Sequence, residues 1–405
     1  MAAQLILGLD AYATDWLDLV FRWLHVIAAI VWIGTSFYFV ALDNHLLPPE
    51  DERDRERGVK GETWEIHGGG FYRVEKFAVA PPRLPEPLHW YKWEAYWTWL
   101  SGFALLVVLY YLNARTYLID PGVADLEVWQ AVLISLGLLA FAWLAYDALC
   151  RLLPGRDAAV GVAILGLTVL AAWGSSELFS PHAAWLQVGA MLGTIMAANV
   201  LFNIIPAHWE LVRAKEAGRD PDPQPGVEAK RRSVHNNYLT LPVLVAMLSG
   251  HFGFLYGHSY AWLILVGLMA VGAWIRVYFN VRHAGRTVWA IPITAALAIA
   301  GIAIAVRPSG NGGATTAPGV PFAEIHRIVE QRCVPCHSLH PTYSGVSAPP
   351  LGITFDSPEQ IHDRAAAIRQ QAVDSKAMPI GNLTHMTQAE RDRLGLWIRQ
   401  GAKIR

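Results

Sequence analysis

Eight apolar segments, each long enough to cross a hydrocarbon layer about 30 Å thick, recur along this 405-residue chain. They lie near 16–42, 92–112, 127–149, 157–175, 183–206, 236–257, 260–280 and 287–306. Inside lipid every backbone amide must find its partner within the protein, so single segments of this kind fold as helices. Composition agrees. The chain is 54% hydrophobic and only 16% charged, well outside the range of ordinary soluble domains. Its 17 tryptophans suit aromatic belts at a membrane interface. A formal net charge of -1 and the lack of a basic tail offer nothing to nucleic acid.

The loops predict orientation. The first carries Arg53, Arg55, Arg57, Lys60, Arg73, Lys76 and Arg83, and the third Arg151 and Arg156. The fifth carries Arg213, Lys215, Arg219, Lys230, Arg231 and Arg232, and the seventh Arg282 and Arg286. The alternate loops offer only Arg115. The positive-inside rule then puts the N-terminus, and everything after the eighth segment, outside the cytoplasm. The first residues carry Asp10, Asp15 and Asp18 in place of a basic leader, so no signal peptide is expected. Residues 308–320, PSGNGGATTAPGV, read as a linker. It divides a membrane domain, 1–307, from a C-terminal domain, 321–405.

The C-terminal domain contains Cys333-Val334-Pro335-Cys336-His337. C-x-x-C-H is the attachment motif of a c-type haem, in which both sulfurs bond the macrocycle and the histidine ligates the iron. A zinc half-site or a redox dithiol would share the two cysteines. Zinc would need a second ligand pair, and the only other cysteine is Cys150, far upstream. A dithiol of the thioredoxin type would sit in a βαβ pattern, which is absent. An amphipathic helix over Phe322–Arg332 leads into the motif, and a final helix over Gln388–Ala402 offers Leu394 and Trp397 to pack against it. Met378-Pro379 lies between them in a loop rich in Pro, Gly and Asn. Its thioether is the expected sixth ligand, with Met386 the second choice and core filling the alternative use of Met378. The expected fold class is therefore all-α: a polytopic bundle of eight transmembrane helices followed by a small class I-like cytochrome c domain. Haem attachment of this kind takes place on the exported side, where the loop charges independently put the motif.

Polar residues inside the apolar segments point to sites, because they are costly there. His25 lies ~13 Å into the first helix and His251 ~9 Å from the outer end of the sixth. The two are placed to hold a second haem, of b type, or to hydrogen-bond neighbouring helices or line a wet cavity. In the first inner loop, IHGGGFYRVEKF and PLHWYKWEAYWTW carry His67, Tyr72, Arg73, Lys76, His89, Lys92 and Glu94. These suit a planar, anionic, amide-rich molecule. The neighbouring Trp90, Trp93, Trp97 and Trp99 read as interfacial belt residues. A second polar set comprises Asn199, Asn203, His208 and Glu210, followed by His235, Asn236, Asn237 and Tyr238. Asn199 and Asn203 are expected on one helix face, Pro206 to end or kink that helix, and His235 to Asn237 to cap the next.

The strings WLHVIAAIVWIGTSFYFV, IHGGGFYRVEKFAVAPPRLPEPLHWYKWEAYWTWLSGF, CVPCHS and MPIGNLTHMT, with the eight-segment layout, resemble the bacterial membrane-bound, cytochrome-c-linked urate oxidases (urate hydroxylases) over nearly the whole chain. The resemblance implies an inner-membrane oxidoreductase of purine catabolism. It would convert urate to 5-hydroxyisourate and pass electrons to its own c-type haem, and on to a cytochrome c or respiratory acceptor, rather than to oxygen. It does not itself supply residue roles in the membrane domain. From the residues, His67, Lys76 and Glu94 are the expected catalytic groups, and Arg73, Lys92, Asn203 and His208 the expected urate ligands. A quinol-linked reductase and a non-catalytic cytochrome anchor share the same gross layout.

Overall fold

The structure is a computed structural model describing residues 11–307, 318–344 and 346–404. Most of the expected linker, 308–317, and Asp10 lie outside the described residues. Helices occupy all eight predicted segments: α1 (Ala11–His45), α2 (Trp93–Leu105), α3 (Val128–Leu152), α4 (Asp157–Ser176), α5 (Pro181–Asn199) with α6 (Ile205–Glu216), α7 (Pro223–Leu248), α8 (Ala261–His283) and α9 (Ala290–Ala305). Five rods, α1, α3, α4, α5 with α6, and α8, are long and apolar enough to cross a membrane, as in a membrane protein. The others fall short for different reasons. α2 has 13 helical residues before a π turn over Leu106–Tyr111. α9 has 16 residues, and α7 opens with a polar, charged half.

Two expected helix boundaries move. Pro206 does not end its helix, because a π turn over Val200–Ile204 precedes it and leaves the proline in the first turn of α6. A proline lacks the N–H and crowds the carbonyl four residues back, and the widened turn accommodates both. His235, Asn236 and Asn237 do not cap α7. Asp222 does, accepting from the Gln224 amide with Pro223 at the first helical position. The three residues lie mid-helix and are buried.

α5 is the buried axis of the bundle. Ala183, Trp185, Val188, Met191, Leu192 and Ile195 are buried along its length, with α2, α3, α4 and α7 packed around it. Small residues bring backbones close, the usual basis of helix association in lipid. A Cβ on Gly189 would stand 2.8 Å from that of Ala246 on α7, and one on Gly272 of α8 would stand 3.2 Å from the Leu241 backbone. The opposite character marks α1, whose Trp16, Leu19, Trp23, Val26 and Ile30 are exposed, as on a lipid-facing helix.

The all-α expectation needs correction at the first inner loop. Residues Val59–His67 (β1) and Gly70–Phe77 (β2) form a two-stranded antiparallel hairpin, with His67 opposite Gly70 and Gly61 opposite Lys76. Gly68 and Gly69, at φ +56° and +84°, make the turn. The alternating stretch Thr63 to His67, TWEIH, carries the period of two that a strand needs.

The C-terminal domain closes on α10 (Phe322–Arg332) and α11 (Gln388–Arg399). Ile325, Ile328 and Val329 meet Leu394 and Trp397 in one core, and Arg393 Nε donates to Glu324 across the pair at 2.7 Å. Thr387 and Glu390 form a reciprocal capping box at the start of α11. This domain sits against one end of the bundle. Ser347 donates to Asp15, the backbone at Gly381 abuts the Thr116 carbonyl, and Gly253 and Gly257 lie under Ala377 and Ser375. These bundle residues all belong to ends that the charge rule puts outside.

A Cβ on Gly257 would fall 1.6 Å from the Ser375 carbonyl oxygen, so a side chain there must push the domain away. A disulfide engineered with Asp15→Cys and Ser347→Cys should form readily on mild oxidation. Adding Gly257→Leu should largely abolish that cross-link on a non-reducing gel; undiminished cross-linking would contradict the docked arrangement.

Candidate functional site

Cys333 to His337 form a turn off the end of α10, with the Cys336 and His337 amides both donating to the Cys333 carbonyl at 3.1 and 2.9 Å. The two cysteines are not joined in a disulfide. Burial pushes the Cys333 thiol up to about 12 and raises that of Cys336, the opposite of the lowered value a redox dithiol needs. Among the described residues no group of three or more His, Cys, Asp or Glu is arranged for a metal ion, so the zinc reading finds no ligand set. His337 Nδ1 donates to the Ile353 carbonyl at 3.0 Å. Burial lowers its pKa, against that hydrogen bond, so the ring is neutral with its Nε2 lone pair free. This is the arrangement of an oriented metal-ligating histidine. Met378 is half-buried, its carbonyl accepting from Arg391 Nη1 at 2.7 Å and its amide donating to Gln371 at 2.9 Å. Met386 is buried in the core of the domain. These residues fit covalent haem c.

The residues expected to hold substrate do not form one cluster. His67 is exposed at the hairpin tip, and Lys76 lies six pairs away at its base, about 20 Å along the strands. Lys76 is pinned to Asp43 at the end of α1, with Lys230 3.0 Å from the same carboxylate. Arg73 is clamped by the buried Asp54 and Glu62. The Arg73 hydrogen bond holds the Asp54 carboxyl below its usual range. A depressed carboxyl stabilises above its unfolded value near pH 4 and loses that effect only as pH falls through the lower folded value. Arg73 is therefore a hairpin lock matched by carboxylates, and Lys76 ties the hairpin base to α1 through an Asp43 that it shares with Lys230. Lys92 stands 5.3 and 5.6 Å over the rings of Trp90 and Trp209. His208, exposed, also adjoins Trp90, so these two do share a patch. Glu94 faces α1 beside Leu24 and Trp97 with one carboxylate oxygen buried and unpaired. Asn203 Nδ2 is likewise unpaired, on the π turn that separates it from Asn199.

The two expected haem-b histidines differ. His25 Nδ1 donates to the Thr98 carbonyl at 2.9 Å and lies over the bare Cα of Gly102, the same ligand-like posture as His337. His251 is exposed on a single 3-10 turn, Ser249–His251. The imidazole packed beside that turn is His182, against Gly250, bonded to the Tyr110 hydroxyl at 2.9 Å.

Two buried arginines stand outside the expected site set, and Arg232, expected in the fifth loop, lies within α7. Arg232 of α7 and Arg276 of α8 are each 1% exposed. Arg232 is closed off by Asp147 at 2.8 Å and Glu228 at 3.2 Å and lies over the Tyr146 ring. Tyr146 in turn meets Asn199 and His235. Arg276 instead donates from Nε to Asn237 Oδ1 at 2.8 Å and stacks on Phe37, 3.7 Å from the ring centre. The signal was present: Arg276 interrupts an apolar helix, where a charge by default marks function.

Removal of the lock should show at the hairpin. Arg73→Ala leaves the buried Glu62 without a cation and Asp54 with Arg57 alone and should speed tryptic cleavage after Lys60 and Lys76 several-fold at pH 8; an unchanged cleavage rate would contradict the locking role.

Known proteins bear on the bundle. The family described as urate oxidase N-terminal matches residues 11–307. No curated protein and no solved structure matches the chain. The match covers the whole described helical bundle, well over half of the chain, and the chain belongs to the urate oxidase N-terminal family.

Proposed function

We propose that the protein is a membrane-bound urate hydroxylase that sends its electrons to a haem c attached to its own C-terminal domain. The observation that carries this reading is one of construction. The bundle that belongs to the urate oxidase family is packed at one end against a domain whose C-x-x-C-H histidine is oriented for ligation. The reaction balances as urate plus water giving 5-hydroxyisourate, two protons and two electrons. Haem c, when bound, supplies a one-electron acceptor, so the two electrons leave in sequence. Cys333 and Cys336 would anchor it, and His337 and Met378 would ligate its iron. Ile353 fixes the histidine through Nδ1. Arg391, bridging the carbonyls of Ala372 and Met378, fixes the loop that carries the methionine.

The protein resides on this reading in the bacterial inner membrane with eight spans. Its N-terminus and haem domain face the periplasm, where a soluble cytochrome c or another respiratory acceptor takes the electrons. The charge asymmetry of the loops supports that orientation. So does the docking of the C-terminal domain on Asp15, Thr116, Gly253 and Gly257, which lie at the predicted outer ends. Bilayer, urate and downstream acceptor are the partners this requires.

Urate added without oxygen to the purified, oxidised protein should reduce one haem per chain, counted by pyridine haemochrome. Turnover in air should form no hydrogen peroxide. Reduction by a quinol but not by urate would overturn the reading in favour of a quinol-linked enzyme. Replacing Cys333 and Cys336 together with Ala should abolish the covalent haem signal after acid-acetone extraction and stop electron delivery to added cytochrome c. Retention of a covalent haem would contradict the attachment site.

A further inference from the structure

The guanidinium of Arg276 cannot lose its proton, and it lies 1% exposed in the bundle. A charge so placed requires compensation. Arg232, equally buried, has it in two carboxylates. Among the described residues Arg276 has no carboxylate within ion-pair distance. Its Nη2 is buried without a partner.

The neighbours show the same incompleteness. Asn237, 1% exposed, uses Oδ1 to accept from Arg276 Nε at 2.8 Å and from Asn280 Nδ2 at 3.2 Å. Because an arginine only donates, this fixes the orientation of both amides. The unused ends are then Asn237 Nδ2 and Asn280 Oδ1, both buried and unpaired. Two donors, one of them charged, stand beside one acceptor. Phe37, stacked on the guanidinium, holds its plane. Such a set is complementary to the edge of a planar anion that presents acceptor atoms beside an N–H.

Polar residues continue from this site to the inner end of α8. Arg276, Asn280 and His283 fall at i, i+4 and i+7 on one face of α8. Arg276 lies about 10 Å from the inner end of that helix. At that end the ring of His283 meets that of His45, the last residue of α1, at 5.6 Å between centroids. His283 Nδ1 is again unpaired. A polar track thus leads from the inner ends of α1 and α8 to the guanidinium.

We infer that Arg276, Asn237 and Asn280 form the recognition site for the purine anion, reached from the inner side past His45 and His283. This rests on the proposed urate chemistry and names where in the bundle it begins. Arg276 meets the delocalised charge, Asn237 donates to an adjacent carbonyl or ring nitrogen, and Asn280 accepts from a ring N–H.

The test uses the purified holoprotein without oxygen and two readouts: equilibrium dialysis with labelled urate, and haem reduction by urate. Arg276→Gln should weaken binding by roughly 10- to 100-fold, as expected for a lost charge-assisted hydrogen bond. Arg276→Lys should recover part of it, keeping the charge without the planar fork. Asn280→Ala, at a less buried position, should weaken binding by about 10-fold and serves if the arginine variant does not fold. Reduction by dithionite and the haem spectrum should stay unchanged throughout. Wild-type binding with unaltered affinity in Arg276→Gln and Asn280→Ala would overturn the site and leave the urate reading standing. A wild-type protein that neither binds urate nor is reduced by it would overturn both.

Discussion

A polar group surrounded by apolar helices must be paired inside the protein, and that constraint organises the bundle. It explains why three helices meet where they do. Tyr146 from α3, Asn199 from α5, and Arg232, His235 and Asn236 from α7 satisfy one another in a continuous network. Asp147 supplies the counter-charge one residue from Tyr146. Arg232 and Tyr146 could not be moved singly without stranding a buried charge or hydroxyl. In this network the buried arginine is matched by carboxylates, whereas the Arg276 centre has none within ion-pair distance among the described residues.

The bundle has two functional ends. Docking of the C-terminal domain on residues such as Asp15 and Thr116 defines one, and His45 and His283 mark the other. α8 separates Arg276 from its outer start at Ala261 by fifteen residues, about 23 Å. On the proposed function, electrons released near Arg276 would have to cover that depth to reach the C-terminal domain. His25 lies between, twelve residues outward of Phe37 along α1, about 18 Å. Its ring is held through Nδ1 as His337 is.

The sequence was most legible where a period or a motif repeats a physical requirement. Long apolar runs located the eight main helical segments of the bundle but not the polar α6, and the amphipathic stretch before Cys333 located α10 to the residue. Turn and cap chemistry was harder to weigh. Asp222-Pro223 starts α7 well before its apolar half, and the π turn before Pro206 cannot be read from hydropathy. The inner loop misled because its charges look free in one dimension. Only the folded chain brings Arg73 to Asp54 of a short preceding helix and to Glu62, and Lys76 back to Asp43 of α1. Arg276 was visible as a charge in an apolar run, but its significance lies in what is absent around it, and partners contributed by α1 and α7 are not readable from α8.

The central claim is that electrons from urate pass within one chain from the bundle to the attached haem. Stopped-flow mixing of oxidised protein with excess urate, without oxygen, tests it directly by following the haem absorbance at several protein concentrations. The account predicts haem reduction with a first-order rate constant that does not change as protein is diluted. A rate constant that falls in proportion to protein concentration, or no reduction at all, would contradict it.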